Sequence, residues 1–447
     1  MEQLDIFDLG VEYHYRPPIY FTRPVRLFEA FAGIGCQAMS FKRAKIPYEI
    51  IGISEIDKHS LVSHKAIHSK HNNYGDISLM GEIPPCDVFT WSFPCQSLSK
   101  AGKRAGFKDM RKSGLVFQVL RLLRDTYGYI PHRHQPKNST FHSMGEATNH
   151  YTPGDKNKLP KVLIMENVPD LVQNSFKAQF YEIQKEIASY GYKNFTLCLN
   201  AKDFGVAQNR DRVFMVSLLG DYHYEFPMPF RLEKRLKDYL EPNVPEKYYL
   251  SDKMIQYFND NSQANEEKGN GFRFKPQQGG EPSIAIPEAT VQGYALAQEG
   301  DGVYINRPHQ KRGCVQKGKI QALKTSGNDV GVVVNKYSEY SAQKILGNLV
   351  DKEDVVGTIT ANAMQSFNHD NCHIFKENNL RIRKLTPREC WRLMGISDED
   401  FDKAAAVCSN SQLYKQAGNG IVVDVFAAIL KNLIEYQPKG KIIKCLK

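Results

Sequence analysis

A strand that runs straight into a glycine turn and then into a helix is the feature that most restricts this fold. Val25-Arg26-Leu27-Phe28-Glu29-Ala30-Phe31 is strand-like and passes directly into Ala32-Gly33-Ile34-Gly35-Cys36, followed by a helical stretch from Gln37 to Lys45. A second apolar strand, Tyr48 to Ile53, follows almost at once and ends at Ser54-Glu55-Ile56-Asp57. Cys86-Asp87-Val88-Phe89-Thr90-Trp91, led in by Pro84-Pro85, reads as a short buried strand, and Val162 to Met165 and Arg212 to Val216 read as later ones. This β–α–β–α order predicts an α/β fold with a mostly parallel, doubly wound, Rossmann-like sheet. Such sheets place their ligand crevice at the carboxyl ends of the strands.

The turn at that edge has its own chemistry. Gly33 and Gly35 let backbone approach a ligand closely at a helix N-terminus. Glu55 lies 22 residues beyond Gly33, at the end of the next strand, where a carboxylate can accept both hydroxyls of a ribose. A nucleoside-containing cofactor is therefore expected. No Walker lysine follows the glycines, and only two of the three dinucleotide-fingerprint glycines are present, which favours a cofactor without a pyrophosphate.

Phe93-Pro94-Cys95-Gln96 puts a thiol just past a strand end. Pro94 fixes its own φ and pushes Phe93 toward extended geometry, and a thiolate is the strongest side-chain nucleophile near neutral pH. The nine cysteines are odd in number and contain no CxxC pair, so neither a zinc site nor a disulfide framework is expected. No apolar run approaches a membrane span, and Met1-Glu2-Gln3-Leu4-Asp5 lacks the basic start of a signal peptide. A reducing cytosol is the expected location. The net charge of +10 suits a polyanionic partner.

Three further clusters converge on the same edge. Met165-Glu166-Asn167-Val168-Pro169 leaves a strand carrying a carboxylate, Gln208-Asn209-Arg210-Asp211-Arg212 enters one carrying two arginines, and Gln416-Ala417-Gly418-Asn419-Gly420-Ile421 is read as opening the last apolar helix, Val422 to Leu433. Together with Phe31-Ala32-Gly33-Ile34-Gly35, Gly75-Asp76-Ile77, Phe93-Pro94-Cys95-Gln96-Ser97 and Arg383-Lys384-Leu385-Thr386-Pro387-Arg388-Glu389-Cys390, these blocks resemble, in chain order, the DNA cytosine-5 methyltransferases of bacteria and phages.

The resemblance implies an S-adenosylmethionine-dependent methyltransferase sheet with a smaller, irregular target-recognition domain. Phe31 and Ile56 would flank the adenine, Glu55 would hold the ribose, and Asp76 with Ile77 would meet the adenine edge. Gly33, Gly35, Pro94 and Asn419 would line the rest of the cofactor pocket. Carbon 5 of cytosine is too weak a nucleophile to accept a methyl group unaided. Addition of a Cys95 thiolate at carbon 6 makes an enamine whose carbon 5 can attack a sulfonium methyl. Glu166 would supply a proton or strong hydrogen bond at N3. Arg212, and less directly Arg210, would hold the base carbonyl and the loop.

Those atoms are out of reach in a stacked duplex, so the cytosine must be flipped out. The loop from Ser97 to Gly106 combines glycines that permit closure with basic residues suited to phosphates. Gln96, Ser97, Lys100, Lys103 and Arg104 are its expected DNA contacts, and Thr358 with Ile359 resembles the Thr-plus-aliphatic pair placed beside the target base. Ile320 to Thr325 is a weaker echo of that pair. The segment 301–350 holds eight Lys/Arg against three acids, as a groove-reading surface would.

Chain order implies a catalytic large domain over 1–230, a target-recognition domain over 231–385, a return segment over 386–410, and a final part of the large domain over 411–447. Residues 1–20 are expected to be a poorly ordered arm. The polar stretch 129–161 carries His132, His134, His142 and His150 without cysteines or regular spacing, which reads as a solvated loop rather than a metal site. Double-stranded DNA is the expected partner of a monomer, and a cognate restriction endonuclease would be a functional rather than a physical one. A transfer-RNA cytosine-5 methyltransferase is disfavoured by the long recognition interval and by the lack of a Cys-Phe-Thr tripeptide. A non-catalytic DNA-binding regulator would have no need of Cys95, Glu166 and Arg212.

Overall fold

The computed structural model of the chain describes residues 15–68, 70–94, 113–128, 154–173, 176–250, 283–291, 293–305, 312–327, 329–335 and 380–438. Short strand β1 (Ile19–Phe21) precedes β2 (Val25–Ala30), helix α1 (Cys36–Ala44), β3 (Tyr48–Ser54), α2 (Lys58–Ile67), β4 (Asn72–Asn73) and β5 (Val88–Trp91). Next come α3 (Val116–Tyr127), β6 (Val162–Asn167), α4 (Lys177–Ser189), β7 (Tyr192–Asn200), β8 (Gln208–Asn209) and β9 (Asp211–Leu219). Seven of these strands form one sheet in the order β4-β3-β2-β5-β6-β9-β7. β2 to β6 pair in parallel, and β9 runs antiparallel to both of its neighbours.

The central strands are apolar on both faces, as strands covered by helices on two sides must be. Leu27, Val88, Val162 and Ile164 pack with Phe41 of α1, while Phe28, Phe89, Leu163 and Met165 pack with Val119 of α3 and Phe180 of α4. Successive residues thus feed opposite cores, following the two-residue period of a strand. The sheet is doubly wound as expected. Its first strand stops one residue earlier than the sequence suggests, because Phe31 turns to a φ of 56°.

The middle of the chain is more regular than its composition predicts. β10 (Ile284–Pro287) pairs with β11 (Tyr294–Ala297), and β13 (Val315–Gln316), β12 (Gly302–Tyr304), β15 (Val330–Asn335) and β16 (Leu380–Lys384) form a four-stranded antiparallel sheet. Two-residue β14 (Ile320–Gln321) leaves that sheet to pair with β8. Val333 joins a small separate core, whereas Val330 and Val332 belong to the same cluster as the large sheet.

The chain returns through α5 (Pro387–Arg392), α6 (Asp398–Ala405), α7 (Asn410–Asn419), α8 (Val423–Leu433) and β17 (Ile434–Tyr436). Gln416 to Asn419 therefore closes α7 instead of opening the last helix, which begins at Val423. At the other end, Ile19–Phe21 pairs with Ile434–Tyr436, so the part of the expected arm within the described residues is anchored. Among the described residues, no helix is long and apolar enough to cross a membrane.

A Thr-x-x-Glu capping box starts α5: Glu389 N–H donates to Thr386 Oγ1 (3.2 Å), and Thr386 N–H to Glu389 Oε2 (2.8 Å). The same carboxylate receives both arms of buried Arg383, at 2.7 and 2.8 Å, and the Glu241 N–H at 2.8 Å. Removing one partner of such a pair strands a charge in a low-dielectric site. Glu389→Ala is expected to lower stability by about 3–5 kcal/mol, measured by urea unfolding.

Candidate active site

Three adjacent strands deliver the expected cofactor residues to one edge. Beyond β2, Phe31, Gly33 and Gly35 all have positive φ, at 56°, 58° and 79°, so the turn is built from left-handed backbone that glycine adopts freely and phenylalanine only at a steric cost. Phe31 N–H and Ala32 N–H both donate to the Ser54 carbonyl at the end of β3. Glu55 completes the junction. Its Oε2 accepts from Gly33 N–H (2.8 Å), and its Oε1 accepts from Ile56 N–H (2.8 Å) and Asp57 N–H (2.7 Å).

Backbone donors thus fix both oxygens of this carboxylate. Ile56 beside it is 66% exposed, an uncovered apolar face suited to a flat base. Beyond β4, Asp76 caps a single turn over Ile77–Leu79 by accepting from Ser78 N–H (2.9 Å), and Ile77 is buried beneath it. These residues fit a nucleoside cofactor.

Pro94 lies three residues past β5 and is half-buried. Asn419 is exposed at the end of α7. The α7–α8 junction rests on the first residue of α1, since a Cβ at Gly420 would lie 3.2 Å from Cys36 Sγ.

Glu166 and Arg212 meet at the neighbouring strand ends. Because β9 is antiparallel to β6, its first residues lie beside the last ones of β6, and Glu166 stands opposite Phe214. Arg212 Nε is 2.9 Å from Glu166 Oε1. Burial pushes the Glu166 carboxyl above the usual carboxylate range, opposed by the charges of Arg212 and Arg210 and by a Ser92 hydrogen bond. A carboxyl of this kind can hold a proton that it would lose in water.

Two polar residues, which the motifs contain but no role was assigned to, organise this edge. Asn167 donates from Nδ2 to the Phe93 carbonyl (3.0 Å), tying the start of the Phe93-Pro94 segment to β6. Gln208 donates to the Leu393 carbonyl (2.7 Å) and accepts from Leu323 N–H (3.2 Å). Side-chain amides can bridge two backbones in this way because each carries a donor and an acceptor.

Arg210 is buried and its guanidinium is engaged elsewhere than on the crevice. It donates to the carbonyls of Leu323 (3.2 Å), Gly418 (3.0 Å) and Gly420 (2.9 Å). Ile320 to Thr325, the weaker echo, is thereby stapled beside the site, and a Cβ on Gly418 would sit 2.5 Å from Thr325 N. Cys95, Gln96, Ser97, Lys100, Lys103, Arg104, Thr358 and Ile359 lie outside the described residues.

The C-5 cytosine-specific DNA methylase family matches residues 25–130 and 154–435, leaving out most of the polar stretch 129–161. The chain is 27% identical to the type II methyltransferase M2.ScrFI of Lactococcus lactis subsp. cremoris, over 92% of this chain and 100% of that one. It is 30% identical to the orphan methyltransferase M.SPBetaI of Bacillus phage SPbeta, over 92% and 97%. Among solved structures, the Entamoeba histolytica methyltransferase EhMeth aligns with a TM-score of 0.53 at 16% identity, covering 92% of this chain and 98% of its own. S. pombe Dnmt2 methyltransferase aligns at 0.51 with the same identity and coverage, and both likenesses speak to the fold alone. The family match runs through the glycine turn, the Glu166 strand end and the Arg210–Arg212 approach, and this chain belongs to the C-5 cytosine-specific DNA methylases.

Proposed function

We propose that this protein transfers a methyl group from S-adenosylmethionine to carbon 5 of a cytosine flipped out of a short specific sequence in double-stranded DNA, through a covalent adduct at Cys95. The observation that carries this reading is the Glu166–Arg212 pair, 2.9 Å apart and one strand away from the segment that leads into Cys95. When bound, the cofactor supplies an electrophilic sulfonium methyl. The protein's own residues do the rest.

Cys95 adds to carbon 6 as its thiolate. Electron density moves to N3, where the Glu166 carboxyl gives its proton or shares it. Arg212 orients that carboxyl and faces the base carbonyl. Once carbon 5 carries the methyl group, loss of the proton at carbon 5 expels the cysteine and restores the aromatic ring. Arg210 acts as a positioning residue, holding Leu323-Lys324-Thr325 beside the flipped base. Gln96, Ser97, Lys100, Lys103 and Arg104 close on phosphates and bases from the loop, and Thr358 with Ile359 extends the recognition surface.

In this reading, residues 1–230 and 411–447 make the catalytic lobe and 231–385 the recognition lobe, joined by 386–410. The small separate core around Val303 and Val333 supports a second lobe. The enzyme acts as a cytoplasmic monomer, and a restriction endonuclease of the same specificity would be its functional partner.

Cytosine-conversion sequencing of DNA from a methylation-free bacterial host expressing the chain is expected to show protection confined to one short motif, lost with Cys95→Ser. A fully converted genome, with methylation found in transfer RNA instead, would overturn the reading. Glu166→Gln is expected to lower kcat by about 10²-fold or more. The raised Glu166 pKa means that its protonated form is lost as pH rises, so wild-type kcat should fall on the alkaline side where the glutamine variant stays flat. Arg210→Lys keeps the charge but not the fork, and is expected to cost about 2–3 kcal/mol in urea unfolding.

A further inference from the structure

Three histidines and a glutamate are packed behind the cofactor turn, and none of them belongs to the site described above. Glu29 on β2 is fully buried. Its Oε1 accepts from Ala38 N–H in the first turn of α1 (3.0 Å), while Oε2 has no hydrogen-bond partner and lies 3.6 Å from His64 Nε2. His64 on α2 is also fully buried, with no hydrogen bond at either ring nitrogen. Its ring centroid lies 4.4 Å from that of His68 and 4.7 Å from that of His71.

His68 reaches the turn itself. Its Nε2 is 3.0 Å from the Ile34 carbonyl, and because a carbonyl only accepts, Nε2 carries the proton. The packing is tight: a Cβ built on Gly35 would lie 2.2 Å from His68 Nε2 and 2.9 Å from His64 Nε2. His68 also lines a cavity of about 370 Å³ with Tyr48, Lys42 and Asp400. Burial drives the Glu29 carboxyl up to about 7 and the rings of His64 and His68 down to about 3 and about 4, so both rings are neutral near pH 7.

The turn needs such a brace. Phe31, Gly33 and Gly35 all sit at positive φ within five residues, and Phe31, which carries a Cβ, holds that shape only against a steric cost. We infer that His68 is a positioning residue for methyl transfer: by donating Nε2–H to the Ile34 carbonyl, with His64 and Glu29 packed behind it, it holds the Phe31–Gly35 turn in the shape that receives the cofactor. The inference rests on the assignment of that turn to S-adenosylmethionine.

The test compares full-length wild type with His68→Phe, which fills the space without a donor, and His68→Gln, which restores an N–H at similar reach. Calorimetric titration with S-adenosylhomocysteine and steady-state methylation of an oligonucleotide duplex are the readouts. Loss of one well-formed hydrogen bond predicts that His68→Phe weakens binding and raises the cofactor KM about tenfold. The change in kcat should be within about twofold, and His68→Gln should recover most of the affinity. If the phenylalanine variant does not fold, His68→Leu serves the same comparison. Wild-type affinity in the donorless variant, or equal weakening in both variants, would overturn the inference. Wild type that binds no cofactor, indistinguishable from a Glu55→Ala control, would instead sink the cofactor assignment beneath it.

Discussion

The guanidinium of Arg210 is the contact on which the geometry of the site depends. Its donors meet carbonyls from Leu323, Gly418 and Gly420, segments more than 100 and more than 200 residues away in the chain. No hydrophobic contact could fix two distant backbone segments in this way, because apolar packing has no direction. A planar cation with fixed donors does so. The arrangement also answers a solvation problem. Carbonyls at the end of α7 lack partners within the helix, and the buried arginine satisfies them while losing its own water. Gln208 repeats the device one turn of chain earlier, holding Leu323 N–H and the Leu393 carbonyl together.

Around that clamp, the reversal of one strand decides where the chemistry can lie. Five strands run in parallel and would offer the crevice only their carboxyl ends. β9 runs the other way beside β6, so its amino end joins that edge. Arg212 therefore reaches Glu166 at 2.9 Å without leaving the sheet. In a parallel β9 the same residue would lie at the opposite end of the sheet. Rigid strands thus fix both members of the pair.

Much of this was legible in the sequence, and the exceptions share a cause. Strands β5 and β6 were readable because every position is buried and their runs are largely apolar, whereas exposed Asn72–Asn73 of β4 gives no such signal. The turn at Gly33 and Gly35 and the capping box at Thr386 and Glu389 were readable because each is local. The end of α7 was not legible: Gln416 to Ile421 reads as the opening of the last helix, whereas Gln416 to Asn419 closes a helix whose pattern is weak and Gly420 caps its end. The four-stranded sheet of the middle region was hidden by short strands, since two to six residues give too few alternations to see a period. Arg210 could be found but not its partners, because carbonyl acceptors leave no mark on sequence. The Glu29–His64–His68 packing was invisible for the same reason. Histidines in an amphipathic helix look like surface residues until the fold buries them.

The electrostatics of Glu166 set burial against charge. Burial favours the protonated carboxyl, and each nearby cation favours the carboxylate. Here Arg212 bonds to it directly while Arg210, turned to backbone carbonyls, contributes charge without a hydrogen bond. The two influences oppose burial without cancelling it, and the carboxyl stays above its ordinary range. Arg210 thus shapes both the position of the Leu323 segment and the acidity of Glu166. A substitution there would alter the two together, which is why its charge and its fork have to be separated to be understood.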